Sequence, residues 1–542
     1  MIRFGGIYDK SLLPVFKARY LFILAFAAFT IALHAQDYPG MTILYARSGP
    51  TGTARTAGVE GAFGSVGADL GCIGINPAGL GLYRSSDFSV TPGLQIGQNE
   101  AVYDGNHTNL KSTKFYFGQA GAVWTKVFAD EGDGKISFDS HPLKAFSFAI
   151  NYERTNFFYR KLQFDASNTT SMMNAYADVS NGLGIAPTDP NQYLEIALAG
   201  TVNLLGYNTS GNYAYSNVNN TVSQSGGVLT TGGLDKVDLG FGGNISDKIY
   251  FGLGLSVPIL NYSVNSGIVE TVNGTSTNGF EQYQINSLVA ESGFGFTGNV
   301  GLIYRPFQWM RIGAAYQLPS WYFLGEQYSA QAISYFDSIP QGMSASGAYP
   351  ELSYKLHTPM RGTLSASFFI KDHAFFSFDY EFQNLGSSRY NFGTDYTSYS
   401  SVYNSFIKST YGYGHTLRAG FEGAYKALRL RAGFMYSSTP FKTGKAYSGY
   451  SNSVMGASAG IGVRLKHFYA DFSYTYGFTK DAFNTNDGNL NLPLLLDPVA
   501  SSYTQHNLLL TLGWKISKEP SHAQHRPAQN YTPPPVDDQQ QY

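Results

Sequence analysis

The sequence predicts an all-β fold: a membrane-spanning antiparallel barrel of about fourteen strands, plugged by its own N-terminal segment. Three observations carry that expectation. The composition is poor in charge and rich in aromatic rings, long segments alternate apolar and polar residues with period two, and the connections between those segments alternate short and long.

Of 542 residues only 13% are charged, while 15% are aromatic. Soluble domains carry about a quarter charged residues, so this surface is expected to face something other than water. The formal net charge of −1 removes any general electrostatic case for nucleic acid. The single cysteine, Cys72, excludes an intrachain disulfide. It reads either as a reactive thiol or as a small buried residue in an apolar stretch.

Lys17 and Arg19 precede an apolar run from Tyr20 to Leu33, and Ala35 suits the exit of a cleavage site. Residues 1–35 therefore read as a secretory signal peptide. As a helix, the run would rise about 21 Å, short of the roughly 30 Å hydrocarbon core. No later apolar stretch is long enough to cross as a helix, so any span must be a strand.

The alternation is clearest near the C-terminus. Leu508, Leu510, Leu512, Trp514 and Ile516 share one face, opposite Leu509, Thr511, Gly513 and Lys515. Phe376, Phe378, Tyr380 and Phe382 alternate with Ser377, Asp379, Glu381 and Gln383. Strands are expected near 84–98, 112–125, 143–165, 233–245, 249–265, 289–305, 309–325, 357–371, 374–392, 412–424, 427–438, 453–466, 467–480 and 503–516. A sandwich usually keeps strands to about five or six residues, whereas a tilted strand crossing a bilayer needs about 9–11. Tight turns at 246–248, 306–308, 372–373, 425–427 and 466–467 alternate with polar stretches at 266–288, 326–356, 393–411, 439–452 and 481–502. An even number of strands brings both chain ends to the short-turn side, the periplasmic side of such barrels. The segment 166–232 is expected as the longest outer loop, partly helical, and the Pro/Gln-rich tail 517–542 as a disordered periplasmic extension. His522 and His525 in that tail do not make a metal site.

Residues 36–83, before the barrel segment 84–516, are dense in Gly and Ala, which permit close backbone packing. They read as a compact hatch; the alternative is a periplasmic linker. Leu70, Ile73, Ile75 and Leu80 favour the hatch, because water would penalise them.

The "GVEGAFGSVGAD" and "NPAGL" stretches resemble the outer-membrane hydrophobic-compound transporters of the FadL/TodX type. The barrel segments "SDKIYFGLGLSVPILNY", "VGLIYRPFQWMRIGAAYQLPSW" and "HTLRAGFEGAYKALRLRAGFMYSSTPF" add to the likeness, especially to versions from Bacteroidetes-like bacteria. The resemblance spans roughly 40–516 and implies a hatch inside a fourteen-stranded barrel, with Asn76, Pro77 and Ala78 as hatch-motif positions. Cys72-Ile73-Gly74-Ile75 departs from the small residues of the family, and the chain continues past Trp514 and Ile516 rather than ending on its last strand.

The resemblance further implies passive uptake of long-chain fatty acids or aromatic hydrocarbons through hatch movement and a kinked strand, for which Pro258 is a candidate. A strand starting at Pro258 is the alternative. The expected partners are a hydrophobic small molecule, outer-membrane lipids and the barrel-assembly machinery, with a monomeric chain and no cofactor. Arg311, Asp379, Glu381, Arg418, Glu422, Arg429, Arg431, Arg464 and Asp471 fall on expected lumen faces. They read as a polar path or carboxylate site, or as ion pairs that fill the lumen and hold the hatch. Competing functions are a general porin, a surface binder of haem or another ligand, and an outer-membrane lipase or protease, although no histidine sits in a recognisable catalytic sequence.

Overall fold

The structure is a computed structural model. It describes residues 38–516 except 48, 50–51, 129, 133–134, 138–141, 190–192, 211, 219, 277, 395, 447–448 and 484–498. The signal segment 1–35 and the tail 517–542 lie outside the described residues.

Fourteen antiparallel staves form one closed sheet. They are β1 (Ser86–Tyr103), β2 (Asn106–Val127), β3 (Leu143–Phe157, continued by Arg160–Thr169), β4 (Val222–Ile245), β5 (Ile249–Val272) and β6 (Phe280–Phe307). Next come β7 (Met310–Gln317 and Trp321–Phe336), β8 (Ile339–Ala348, Leu352–His357 and Arg361–Ile370) and β9 (Ala374–Asn384 with Arg389–Asn391). The last are β10 (Tyr413–Tyr425), β11 (Leu428–Ser437), β12 (Val454–Arg464), β13 (Phe468–Phe483) and β14 (Val499–Ile516). Pairing of β1 with β14, from Ser86↔Ile516 to Val102↔Ala500, closes the barrel.

The alternation sorts lipid from lumen as expected. On β9, Phe376, Phe378, Tyr380 and Phe382 face outward, while Ser377, Asp379, Glu381 and Gln383 are buried inside. On β14, Leu510, Leu512, Trp514 and Ile516 face outward and Leu509 and Thr511 inward. The inner turns, on the side where β1 begins and β14 ends, are tight. Ser246, Asp247, Lys371 and Lys426 take left-handed φ there, between 47° and 56°.

The outer connections differ from the expectation. Residues 266–288 form the ends of β5 and β6, and 326–356 form the tops of β7 and β8, so the strands continue where loops were expected. β1 and β2 likewise run to an Asp104-Gly105 hairpin, with φ of 47° and 78°, a turn that suits paired strands. β6 has 28 residues, about 90 Å of strand, so its upper part stands clear of a bilayer. Within 166–232, helices α3 (Met172–Leu183) and α4 (Leu194–Thr201) pack with Tyr103, Tyr283, Tyr328 and Phe336 into an apolar dome over the strand tops. The stretch 393–411 holds α5 (Thr397–Thr410). Two helices precede these in the chain: α1 (Tyr38–Ala46) and α2 (Ala54–Ala57).

An arginine on the lipid face of a barrel costs about 2–4 kcal/mol at the bilayer midplane. Phe378→Arg is expected to lower stability by about that amount in reversible unfolding from lipid vesicles. A cost near zero would place β9's aromatic face away from lipid.

Candidate functional site

The hatch is built from short capped turns. Thr53 caps α2 by accepting from Thr56 N, and Asp69 caps the turn Leu70–Cys72 by accepting from Gly71 N. Asn76 caps the turn Pro77–Leu82: its Oδ1 accepts from Ala78 N at 3.1 Å, and Pro77 takes the first position, where no N–H is needed. The Asn76 Nδ2 donates to Gly64 O at 2.7 Å and to Leu302 O on β6 at 3.3 Å, so one side chain ties two hatch turns to the wall. Ala78 packs on Tyr250 and Ile303. Wall glycines make the seat. A β-carbon on Gly252 would lie 2.2 Å from the Pro77 carbonyl carbon, and one on Gly301 would collide with the Asn76 side chain. Cys72 is fully buried in the hatch, and burial pushes its thiol well up, which fits the small-core reading.

The luminal residues read from the sequence mostly meet the hatch. Asp379 Oδ2 accepts from the backbone N–H of Phe63 at 3.0 Å and of Gly64 at 2.9 Å. Arg311 donates to Val66 O at 2.8 Å. Arg55 of the hatch meets Glu422 at 3.2 Å; Glu422 meets Arg431 at 2.6 Å; Arg431 and Arg464 each meet Asp471 at 2.8 Å. Glu381 lies between Arg361 at 3.6 Å and Arg418 at 3.1 Å. Arg429 stands apart, turned back to the Lys426 carbonyl at the inner rim. Charges of both signs alternate through the ion pairs of this network, while Arg311 is bonded to a carbonyl.

Above the hatch the wall is broken. β2 pairs with β3 only from Gln119↔Glu153 to Val127↔Ala145. Beyond Phe157 the upper half of β3 bends inward across β2, reaching the lumen side chains of β1: Gln95 donates to Tyr159 O at 2.9 Å and Asn99 to Lys161 O at 3.0 Å. Among the described residues no backbone rung joins β2 above Gln119 to β3. Arg154 fixes the bend through both oxygens of Asp235, at 2.7 and 2.8 Å.

Pro258 does not supply this bend. It sits inside continuous β5, and the ladder to β6 skips Val257 and Pro258 and resumes in the same register at Ile259↔Phe294. A missing N–H removes rungs there without redirecting the strand. No short sequence signal marks the β3 bend, because its partners are distant.

A cavity of about 570 Å³ reaches this break. Tyr116, Phe157, Phe158, Leu162, Val228 and Val264 give it apolar walls. Met41, Ile43 and Leu44 of α1 also line it, and Asn156 beside the break donates to the Leu44 and Arg47 carbonyls at 2.9 and 2.6 Å. Overhead, α1 packs with α5 in a cluster holding Tyr38, Tyr354, Tyr390, Phe392 and Tyr403. Among the described residues no group of three or more His, Cys, Asp and Glu is placed to hold a metal.

These features define a plugged, membrane-spanning barrel with a lateral cavity that has apolar walls beside the break and charged residues elsewhere in its lining. Its architecture matches the crystal structure of the Pseudomonas putida toluene transporter TodX at a TM-score of 0.50 and 12% identity, covering 87% of this chain and all of that one. A Pseudomonas aeruginosa FadL homologue superposes at a TM-score of 0.48 and 13% identity, covering 86% and 98% of the two chains. The CymD monoaromatic hydrocarbon channel gives 0.46 and 13%, over 87% and 98%. At these identities the likeness is one of fold. No protein-family model and no curated protein sequence matches the chain.

Two variants test the hatch seat. Asp379→Ala leaves the Phe63 and Gly64 N–H groups without their acceptor, and hydrogen exchange across 59–66 should accelerate while exchange in β9 stays slow. Arg431→Met takes one of two cations from each of Glu422 and Asp471, which keep Arg55 and Arg464, so a loss smaller than the ~3–5 kcal/mol of a fully broken buried pair is expected on chemical unfolding.

Proposed function

We propose that the chain is an outer-membrane channel for passive uptake of small hydrophobic compounds, and that solute leaves sideways through the β2–β3 break above a seated hatch. The observation that carries this reading is the continuity of the apolar cavity with a gap in the wall that has no backbone pairing. A water-soluble solute would need a polar path to the inner end, and the hatch fills that path. An apolar solute needs only a route from the aromatic dome to the acyl chains, and Tyr116 and Phe157–Tyr159 line its last step. Fatty acids and monoaromatic hydrocarbons both suit such a cavity in size and polarity. The driving force is the solute's own gradient, with no covalent chemistry and no cofactor. An open porin is disfavoured because the Glu422–Arg431–Asp471 network and the hatch occupy the lumen.

Two engineered chains separate lateral exit from passage past the hatch. Ser65 Oγ and Ser367 Oγ lie 2.5 Å apart, so Ser65→Cys with Ser367→Cys allows a disulfide that locks the hatch to β8. In proteoliposomes, oleate or toluene uptake should persist with this lock and fall about tenfold when Tyr116→Cys carries a bulky maleimide. Uptake abolished by the lock alone would show that the hatch must move. Uptake no faster than in empty liposomes would overturn the transport reading.

A further inference from the structure

The floor of the cavity carries one acid that the hatch does not use. Glu60 takes a left-handed φ of 53°, which turns its side chain away from the hatch core toward β11 and β12. A β-carbon on Gly456 would lie 3.0 Å from Glu60 Oε2. Glu60 is 1% exposed, and among the described residues neither carboxyl oxygen has a hydrogen-bond partner. The nearby Ser458 Oγ is in the same state.

The other charged groups of the lining are engaged. Arg154 holds Asp235, Arg160 holds Asp481 at 2.6 Å, and Arg418 holds Glu381 at 3.1 Å. Arg47 donates to the carbonyls of Asn452 at 2.7 Å and Ser438 at 2.6 Å. Of the three acids facing the cavity, Glu60, Glu381 and Asp481, Glu60 alone lacks a partner among the described residues. A buried acceptor without a donor is costly, and a ligand that brings a donor removes that cost.

We propose that the cavity holds its apolar ligand by a hydrogen-bond-donating head, a hydroxyl or a protonated amine, received by the Glu60 carboxyl. This rests on the reading of the cavity as the apolar-solute site and adds a polarity to it. The head lies on the hatch beside Gly456, and the tail lies along Phe157, Phe158, Leu162 and Val264. A carboxylate head at this end would meet a second carboxyl, and among the described residues the lining's arginines are each bonded elsewhere. Burial pushes the Glu60 carboxyl up to about 8, against the pull of Arg418, so an ammonium head would stabilise its ionised form.

The test uses the full chain in nanodiscs and displacement of N-phenyl-1-naphthylamine by octane, 1-octanol, octylammonium and octanoate. At about pH 9, where Glu60 is ionised and octylammonium still protonated, octanol and octylammonium should bind about tenfold more tightly than octane and octanoate. Glu60→Gln, close in shape, should abolish the ammonium preference, and Glu60→Leu should abolish the hydroxyl preference as well. Octane affinity should stay unchanged in both, which also reports on folding; if the leucine variant loses it, the glutamine variant decides. Equal affinities for octane and octylammonium in the native chain, or an octylammonium preference that survives Glu60→Gln, would overturn the role of Glu60 and leave the apolar site standing. Failure of octane itself to displace the probe would overturn the site.

Discussion

Everything in this fold follows from one constraint: inside a bilayer no strand can leave its backbone N–H and C=O groups unpaired. Pairing of β1 with β14 over most of β1 meets that constraint by removing both edges. Closure in turn creates a lumen, and the same alternation that turns Phe378 to lipid turns Asp379 inward. A lumen lined with buried charge must be paired, and the hatch supplies part of that pairing through Arg55 and the backbone N–H groups of Phe63 and Gly64. Closure and plugging are therefore linked steps.

The β2–β3 break is an exception that shows how the constraint is met when pairing is given up. Upper β3 loses its β2 rungs but keeps β4, from Arg160↔Thr230 to Thr169↔Val222. Its inward carbonyls are taken by Gln95 and Asn99, side chains that point into the lumen. The carbonyls of Gln163 and Asp165 accept from Thr108 and Asn106 at the top of β2, and apolar rings, Phe115 and Phe117 on β2, face outward at the gap.

The sequence made the barrel legible because lipid imposes a local rule with period two, and every strand obeys it. Asn76-Pro77-Ala78 stood out through the family resemblance; in the structure the Asn cap and the helix-starting proline act on their own neighbours. The strand tops at 266–288 and 326–356 were not legible. Outside the bilayer both faces of a strand meet polar surroundings, so Ser, Asn and Gly there read as loop. The seat glycines, Gly252 and Gly301, were visible only as residues without a side chain, since their meaning lies in Pro77 and Asn76, more than 170 positions away in sequence. The β3 bend and the unpartnered state of Glu60 depend on contacts of the same reach.

The anchoring of the hatch bears on the route itself. Moving its core would separate Arg55 from Glu422, strip two N–H donors from Asp379 and unseat Asn76 from Leu302. Each of these is buried, so the losses would fall in a low-dielectric lumen where unpaired charge is costly. The break and its aromatic lining lie above the last β2–β3 rung at Gln119↔Glu153, the level at which Gly74 of the hatch meets Glu153. A solute leaving by the break never crosses the paired region. What stands beside the gap instead is the α1 end, tied by Asn156 to the Leu44 and Arg47 carbonyls, by Arg361 to the Ala46 carbonyl, by the Arg47 guanidinium to the Ser438 and Asn452 carbonyls, and by Tyr45 to the Glu291 carboxylate.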